Sequence, residues 1–141
     1  MKYLKFSLII LAFAVITDFV ITEADSDYPV VSSLYITPHL DKNNGQFTSY
    51  RKKTKISIMS YNHISSKTAL TNPCNDCKVA AKPFTEGGDY GSAVLTVAGG
   101  SASFTENTGM QAPGVYRLYV WRYDFTALTT YHTARWDIQP A

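Results

Sequence analysis

Short apolar segments separated by turn-forming residues dominate the chain after its first 24 residues. Val, Ile, Tyr, Thr and Phe are common in these segments, and Gly, Pro, Asn, Asp and Ser fill the connections between them. This pattern is typical of an all-β domain, because β-branched and aromatic side chains fit a pleated, half-buried surface. No window of helical length shows the 3.6-residue period of an amphipathic helix. The sequence therefore predicts about seven strands.

The predicted strands span residues 29–37, 54–61, 78–84, 92–97, 101–106, 114–125 and 130–139. A long polar connection is expected to follow the second of them and to run through Thr71. The basic cluster Arg51–Lys55 is interpreted as a strand flank, because lysine and arginine beside a strand discourage edge-to-edge pairing. One β domain accounts for all of these segments.

Alternation along the last two strands predicts which side chains are buried, because successive residues of a strand point to opposite faces. The inward set is Tyr116, Leu118, Val120, Ala134, Trp136 and Ile138. If the two strands pair as a hairpin, one outer face carries Arg117, Tyr119, Trp121, Tyr123, Tyr131 and Arg135. Exposed Tyr, Trp and Arg supply much of the contact energy at interfaces, and flat rings also stack on sugars. We predict that this face binds a protein or a glycan.

A Pro-Gly turn leads into the alternating segment Tyr116-x-Leu118-x-Val120. This segment resembles the penultimate strand of immunoglobulin-like and fibronectin-like sandwiches, in which a tyrosine hydrogen-bonds back to the backbone of the preceding corner. The resemblance implies an immunoglobulin-like, two-sheet antiparallel β-sandwich with Tyr116 as that tyrosine. The inter-sheet disulfide of antibody domains has no counterpart among the cysteines of this chain. A small β-barrel is the alternative.

The N-terminus has the features of a secretory signal peptide. Two lysines precede the apolar run 6–16, and Asp18 interrupts the run before it reaches the roughly 20 residues that a membrane-spanning helix needs. Cleavage is predicted after Ala24, with Ala14 as the alternative site. The predicted mature protein is a single domain over residues 25–141, secreted or periplasmic, with no membrane insertion after cleavage.

The charge balance and the polar residues point away from several classes of function. The chain has 13 Lys and Arg against 11 Asp and Glu, a net charge of +2, which does not indicate a nucleic-acid partner. Its three histidines lack metal-type spacing, and nucleophile-elbow, zinc-protease and phosphate-loop motifs are missing. We therefore expect no enzyme activity, no cofactor and no metal. The sequence leaves the oligomeric state open.

The only two cysteines, Cys74 and Cys77, have the spacing of a redox dithiol, of half a zinc site or of a small disulfide. A redox pair is normally followed by a helix that lowers the thiol pKa, whereas here Pro83 and a Gly pair close the segment quickly. Zinc would need further ligands that the spacing does not supply. A disulfide within one loop, in an oxidising compartment, is the interpretation that remains.

Three loop segments give a second, alternative function. Asn72-Pro73, Gly99-Gly100 and the segment from Arg122 to Phe125 stand in the order of the three inhibitory loops of chagasin-like inhibitors. Those inhibitors of papain-type cysteine proteases are immunoglobulin-like sandwiches, and this chain resembles them in these loop residues. The resemblance implies inhibitory contacts by Asn72, Pro73, Gly99, Gly100, Arg122 and Phe125. The family's Thr-Thr-Gly and the Pro after its Arg are replaced here, and our strand prediction places Arg122 inside a strand.

Overall fold

The computed structural model describes residues 27–41, 44–68, 72–89, 91–105, 112–123 and 129–141. The signal peptide, both cleavage sites and Phe125 lie outside these residues. Within them the regular secondary structure consists of β-strands. The strands are β1 (Ser33–Ile36), β2 (His39–Leu40), β3 (Gln46–Phe47), β4 (Arg51–Lys53), β5 (Ser60–Lys67), β6 (Val79–Thr85), β7 (Gly88–Asp89), β8 (Val94–Thr96), β9 (Ser101–Ser103), β10 (Gly114–Arg122) and β11 (Thr130–Asp137).

The described strands form two antiparallel sheets. In the first, sheet I, β1 and β2 lie one after the other along β11, and β5 and then β9 follow on its other side. In the second, sheet II, β3 and β4 both pair with one side of β10, while β6 pairs with its other side. Two short strands, β7 and β8, complete sheet II along the far side of β6.

The predicted two-sheet antiparallel sandwich is confirmed, and the described sheets are not closed into a barrel. The strand order differs from the immunoglobulin order, in which the first strand pairs with the second. Three pairs of short strands, β1 with β2, β3 with β4 and β7 with β8, each lie along one side of a longer strand, so the eleven described strands occupy eight positions. The first position pairs with the last strand, β11, and consecutive positions mostly alternate between the sheets. This is the strand order of an eight-stranded jelly roll. The sequence could not separate the two, because both have the same alternation of apolar and polar residues.

The core lies between the sheets and consists mainly of alternating strand residues. The predicted inward residues of β10 and β11 are all buried, and Ile138, which follows β11, is buried with them. Further core residues come from other parts of the chain: Leu40, Met59, Tyr61, Val79, Ala81 and Phe104. The predicted phase of the last two strands is therefore correct, and their outward residues are half-buried.

Strand β5 differs most from the sequence prediction. A strand was expected over residues 54–61, whereas β5 spans Ser60–Lys67 and occupies the predicted polar connection. Its inward side chains include His63 and Ser66, which are buried because they hydrogen-bond to each other and to neighbouring strands. The sequence did not predict this strand, because its polar residues are typical of a loop. The basic cluster contains the edge strand β4, and Lys53 within it is fully buried.

Two local predictions are confirmed. The Tyr116 hydroxyl donates a hydrogen bond to the backbone oxygen of Ala112 at 3.2 Å, so the tyrosine ties the start of β10 to the preceding corner. Cys74 and Cys77 form a disulfide with Cα atoms 5.4 Å apart. Among the described residues, no helix is long and apolar enough to cross a membrane.

Several connections lie at one end of the sandwich, which we call the loop end. Lys67, the last residue of β5, pairs with Tyr131 at the start of β11. In sheet II, Val79 at the start of β6 pairs with Arg122 and with Thr96, the last residues of β10 and β8. The loop after β5, which we call the stapled loop because the Cys74–Cys77 disulfide closes it, and the Gly99-Gly100 turn therefore both leave the sheets at this end, where β10 also ends.

Candidate functional site: the aromatic face

The expected hairpin between the last two strands is wrong. β10 lies in sheet II between β6 and the β3 and β4 edge, whereas β11 lies in sheet I. The predicted outer surface is consequently divided. Arg117, Tyr119 and Trp121 lie on the outside of sheet II, and Tyr131 and Arg135 lie on the outside of sheet I. A strand with alternating residues looks the same whether its sequence neighbour pairs with it or crosses to the other sheet.

On sheet II, the rings of several strands form one continuous cluster. The Tyr119 ring centroid lies 4.7 Å from that of Phe47 on β3 and 6.2 Å from that of Phe84 on β6. Phe47 and Phe84 meet edge to face at 5.3 Å. Trp121 stacks on Tyr119 at 5.4 Å with an interplanar angle of 28°. We call these four rings together with Arg117 the aromatic face.

Arg117 is held between two rings of the β3 and β4 edge. Its guanidinium carbon lies 3.8 Å from the Phe47 ring centroid and 4.7 Å from that of Tyr50. A guanidinium over an aromatic face is attracted by the ring quadrupole, by about 0.5–1 kcal/mol at exposed positions. Contacts with both rings therefore position the Arg117 cation.

Gly45 provides room for the centre of the aromatic face. A Cβ atom at this position would overlap the Tyr119 ring, since it would lie 2.6 Å from Cε2 and closer still to Cζ and the hydroxyl oxygen. The tyrosine ring therefore lies directly on the Gly45 backbone, where any side chain would displace it. Nothing in the sequence pattern predicts the contact of Gly45 with Tyr119.

Lys82 and additional apolar groups lie at the edges of the aromatic face. Lys82 on β6 places its Nζ 5.9 Å from the Phe84 ring centroid. Leu95 on β8 is 49% exposed and pairs with Ala80, which in turn lies opposite Trp121. Phe47 is 47% exposed and Tyr123, just after β10, is 55% exposed. The outside of sheet II is therefore rich in accessible apolar surface.

The two predicted residues on sheet I have other partners. The Arg135 Nε lies 2.8 Å from Oδ1 of Asp137, and Asn62 donates to the other carboxylate oxygen at 2.8 Å. The hydrogen bond with Asp137 raises the pKa of Arg135 above its usual value. Tyr131 packs edge to face against His39, with ring centroids 4.5 Å apart. Neither residue contributes to the aromatic face.

The loop residues of the inhibitor resemblance are only partly brought together. Asn72-Pro73 and Gly99-Gly100 flank the loop end of β5: Thr68 N donates to Asn72 O, and Gly99 N donates to His63 O. Arg122 is buried within β10, as the strand prediction required, and is not a loop residue.

A buried cluster of hydroxyls and imidazoles lies beneath the loop end. Ser66 Oγ lies 2.5 Å from His63 Nε2 and 2.8 Å from His132 Nδ1, and the two ring nitrogens are 3.2 Å apart. The outer nitrogens face Thr96 Oγ1 at 3.2 Å and Thr130 Oγ1 at 2.6 Å. Burial lowers the pKa of His63. The sequence did not predict this cluster, because His63 and Ser66 lie in a segment whose polar composition is typical of a loop.

In the described part of the chain, three residues with potential metal-ligand atoms lie close together: Cys74, Asp76 and Cys77. The two sulfurs of this group are joined in the disulfide and do not provide thiolates.

Comparisons with known proteins identify no family. No protein-family model matches the chain, and no curated protein matches its sequence. At 13% identity, the chain is similar to a solved structure from Bacillus endospore appendages, which form a novel family of disulfide-linked pili. That alignment covers 79% of this chain and 88% of the other, with a TM-score of 0.40. A likeness at this level is not evidence of shared function.

Proposed function

We propose that this protein is a non-enzymatic, secreted or periplasmic binding module that recognises a protein or a glycan through the aromatic face of sheet II. The observation that carries the proposal is the continuous cluster of Phe47, Phe84, Tyr119 and Trp121 beside Arg117. Tyr, Trp and Arg are the residue types that most often dominate binding energy.

Order within the cluster supports a recognition role. Arg117 is already placed between Phe47 and Tyr50, and Tyr119 is already seated on Gly45. A surface whose side chains are fixed before binding loses less conformational entropy when a ligand arrives. Rings fixed in this way provide apolar area for a protein partner or for the apolar face of a sugar.

The proposed compartment rests on the signal-like N-terminus and on the disulfide. A lysine-flanked apolar run over residues 6–16 is typical of a secretory signal. The Cys74–Cys77 disulfide fits an oxidising environment, where such bonds persist. The partner is accordingly expected to be extracellular or periplasmic.

The test is binding to a printed glycan array and to an array of extracellular protein domains. Trp121→Ala with Tyr119→Ala should abolish any binding that the wild type shows. The matched control is Tyr35→Ala, because Tyr35 is 64% exposed on the other sheet. Binding that survives the double substitution would refute the aromatic face as the site.

The alternative is a chagasin-like inhibitor of papain-type proteases. Its support is that Asn72-Pro73 and Gly99-Gly100 both lie at the loop end. Burial of Arg122 within β10 weakens it, because an inhibitory loop residue has to reach the protease. Full papain activity in the presence of micromolar protein would rule out this alternative.

A further inference from the structure

The outside of sheet I has a groove at the loop end, on the opposite side of the sandwich from the aromatic face. It has a volume of about 640 Å³ and includes Thr37, His39, Ser65, Lys67, Tyr131 and Thr133 in its lining. This volume lies in the roughly 300–1,000 Å³ range of sites for small molecules. Its position separates it from every residue of the aromatic face.

A β-bulge shapes the floor of the groove. The pairing of β5 with β11 shifts register between Thr133 and Ala134, so that Ile64 is an extra residue on β5. The shift leaves Ser65 exposed while Ser66 points inward. Bulges occur next to functional sites, where they redirect a side chain. Here the bulge places the Ser65 hydroxyl beside Thr133 on the groove surface.

One wall of the groove is aromatic, and hydroxyl groups lie beside it. His39 and Tyr131 meet edge to face at 4.5 Å and form that wall. Thr37, Ser65 and Thr133 supply hydroxyls, each of which can both donate and accept a hydrogen bond. Such a combination fits a ligand that has an apolar ring face and several hydroxyls at its edge.

The charge of the groove adds a requirement on the ligand. The described residues that line the groove include a lysine, Lys67, and no Asp or Glu. An anionic group on the ligand would gain charge-assisted hydrogen bonds from the Lys67 ammonium and the neighbouring hydroxyls.

The stapled loop forms the remaining wall. Pro73 lines the groove and forms a bridge with Lys67. A backbone hydrogen bond from Cys74 N to Ser66 O at 2.8 Å attaches the loop to β5, and a second, from Thr68 N to Asn72 O at 3.0 Å, closes the loop on itself. Because the disulfide begins at the residue after Pro73, it restricts the loop next to this wall.

We propose that this groove is a second binding site that takes a saccharide carrying an anionic group, sulfate or carboxylate. The ring of the sugar lies against Tyr131, its hydroxyls bond to Ser65 and Thr133, and its anionic group faces Lys67. The disulfide holds the Pro73 wall in place for this ligand. The site is independent of the aromatic face.

The test is a calorimetric titration of the full protein with three probes: a sulfated heparin-derived disaccharide, an unsulfated uronic-acid disaccharide and neutral cellobiose. At least one anionic probe should bind about tenfold tighter than cellobiose, as expected for a charge-assisted contact. The two anionic probes distinguish sulfate from carboxylate. No binding of either at millimolar concentration, or equal affinity for all three, would overturn the proposal.

Variants locate the site. Lys67→Gln should weaken binding of the anionic probe about tenfold, and Tyr131→Ala should weaken binding of all probes. Lys82→Gln, on the aromatic face, should leave the affinity unchanged. Amide shifts in NMR spectra should map to Ser65, Lys67 and Thr133 of a folded protein. Shifts at Tyr119 and Trp121 instead would overturn the groove and support the aromatic face.

The disulfide gives an independent readout. A double variant, Cys74→Ser with Cys77→Ser, should bind the anionic probe more weakly while its NMR spectrum retains the sandwich pattern. Unchanged affinity in a folded double variant would refute the role of the staple in shaping the Pro73 wall. The aromatic face, tested separately by Trp121→Ala with Tyr119→Ala, would be unaffected by that result.

Discussion

The buried imidazole of His63 predicts that the protein loses stability in mild acid. His63 is 1% exposed, and its two ring nitrogens face Ser66, Thr96 and His132. A proton added to this ring would place a charge in the core beside a second histidine. Burial lowers the pKa of His63 in the folded protein, so the folded state resists the proton that the unfolded chain accepts.

The direction and size of the effect follow from proton linkage. Below the unfolded histidine pKa of about 6.5, the unfolded state binds more protons than the folded state, so the free energy of unfolding falls with falling pH. While His63 stays neutral, the loss is about 1.4 kcal/mol for each pH unit. At pH 5.5 the loss is at most about 1.4 kcal/mol, which is the value for a ring that is still neutral, and it stops growing once the pH falls below the lowered folded-state pKa of His63.

Urea unfolding between pH 7.5 and 5.5 measures this loss, in a window above the pKa values of ordinary carboxylates. His63→Gln should be less stable than the wild type at pH 7.5 and should lose less stability on acidification. His39→Gln is the matched control, since His39 is exposed. If the wild type and His63→Gln have the same pH dependence, the reasoning from the buried imidazole is wrong.

Two further substitutions and reduction of the disulfide test interactions that stabilise the sandwich. Lys53→Ala should cost about 2–4 kcal/mol by urea unfolding, because it removes the buried Nζ that donates to Ser57 O, Ser57 Oγ and Ile138 O at 2.5, 2.6 and 2.8 Å. Gly45→Ala should displace Tyr119 and change the near-ultraviolet circular dichroism, at a cost of about 1–3 kcal/mol. Its control is Gly87→Ala, whose Cβ would come no closer than 3.6 Å to another group; an equal effect of both would contradict the clash. Reduction of the disulfide should lower the free energy of unfolding by about 2 kcal/mol, as the entropy of so short a loop implies, and a loss of the whole fold would contradict this.

The sequence predicted the features that depend on neighbouring residues in the chain. The burial of Tyr116, Leu118 and Val120 follows from alternation alone, and the tie from Tyr116 to Ala112 spans four residues. The disulfide of Cys74 likewise closes a local loop. Each of these features is fixed by local geometry, so the pattern was sufficient to find it.

The features that the sequence missed depend on pairing between distant segments. The sheet that contains β11 is set by how the whole chain packs, and alternation is the same in either sheet. The burial of the polar side chains of His63 and Ser66 depends on hydrogen bonds to Thr96 and His132, which lie far along the chain. Gly45, the residue before β3, contacts Tyr119 on β10, and no local pattern indicates a contact between segments so far apart in the chain.

Two hydrogen bonds between the sheets have a mechanical consequence. His63 on sheet I meets Thr96 on sheet II at 3.2 Å, and Lys53 on sheet II donates to Ile138 beside sheet I at 2.8 Å. Apolar packing is non-directional and resists separation of two layers more than sliding between them. Hydrogen bonds have strict distance and angle requirements, so a sideways displacement breaks them. One of these bonds lies near the loop end, and the other joins the last residue of β4 to the residue after β11, so sheets I and II are held against shear.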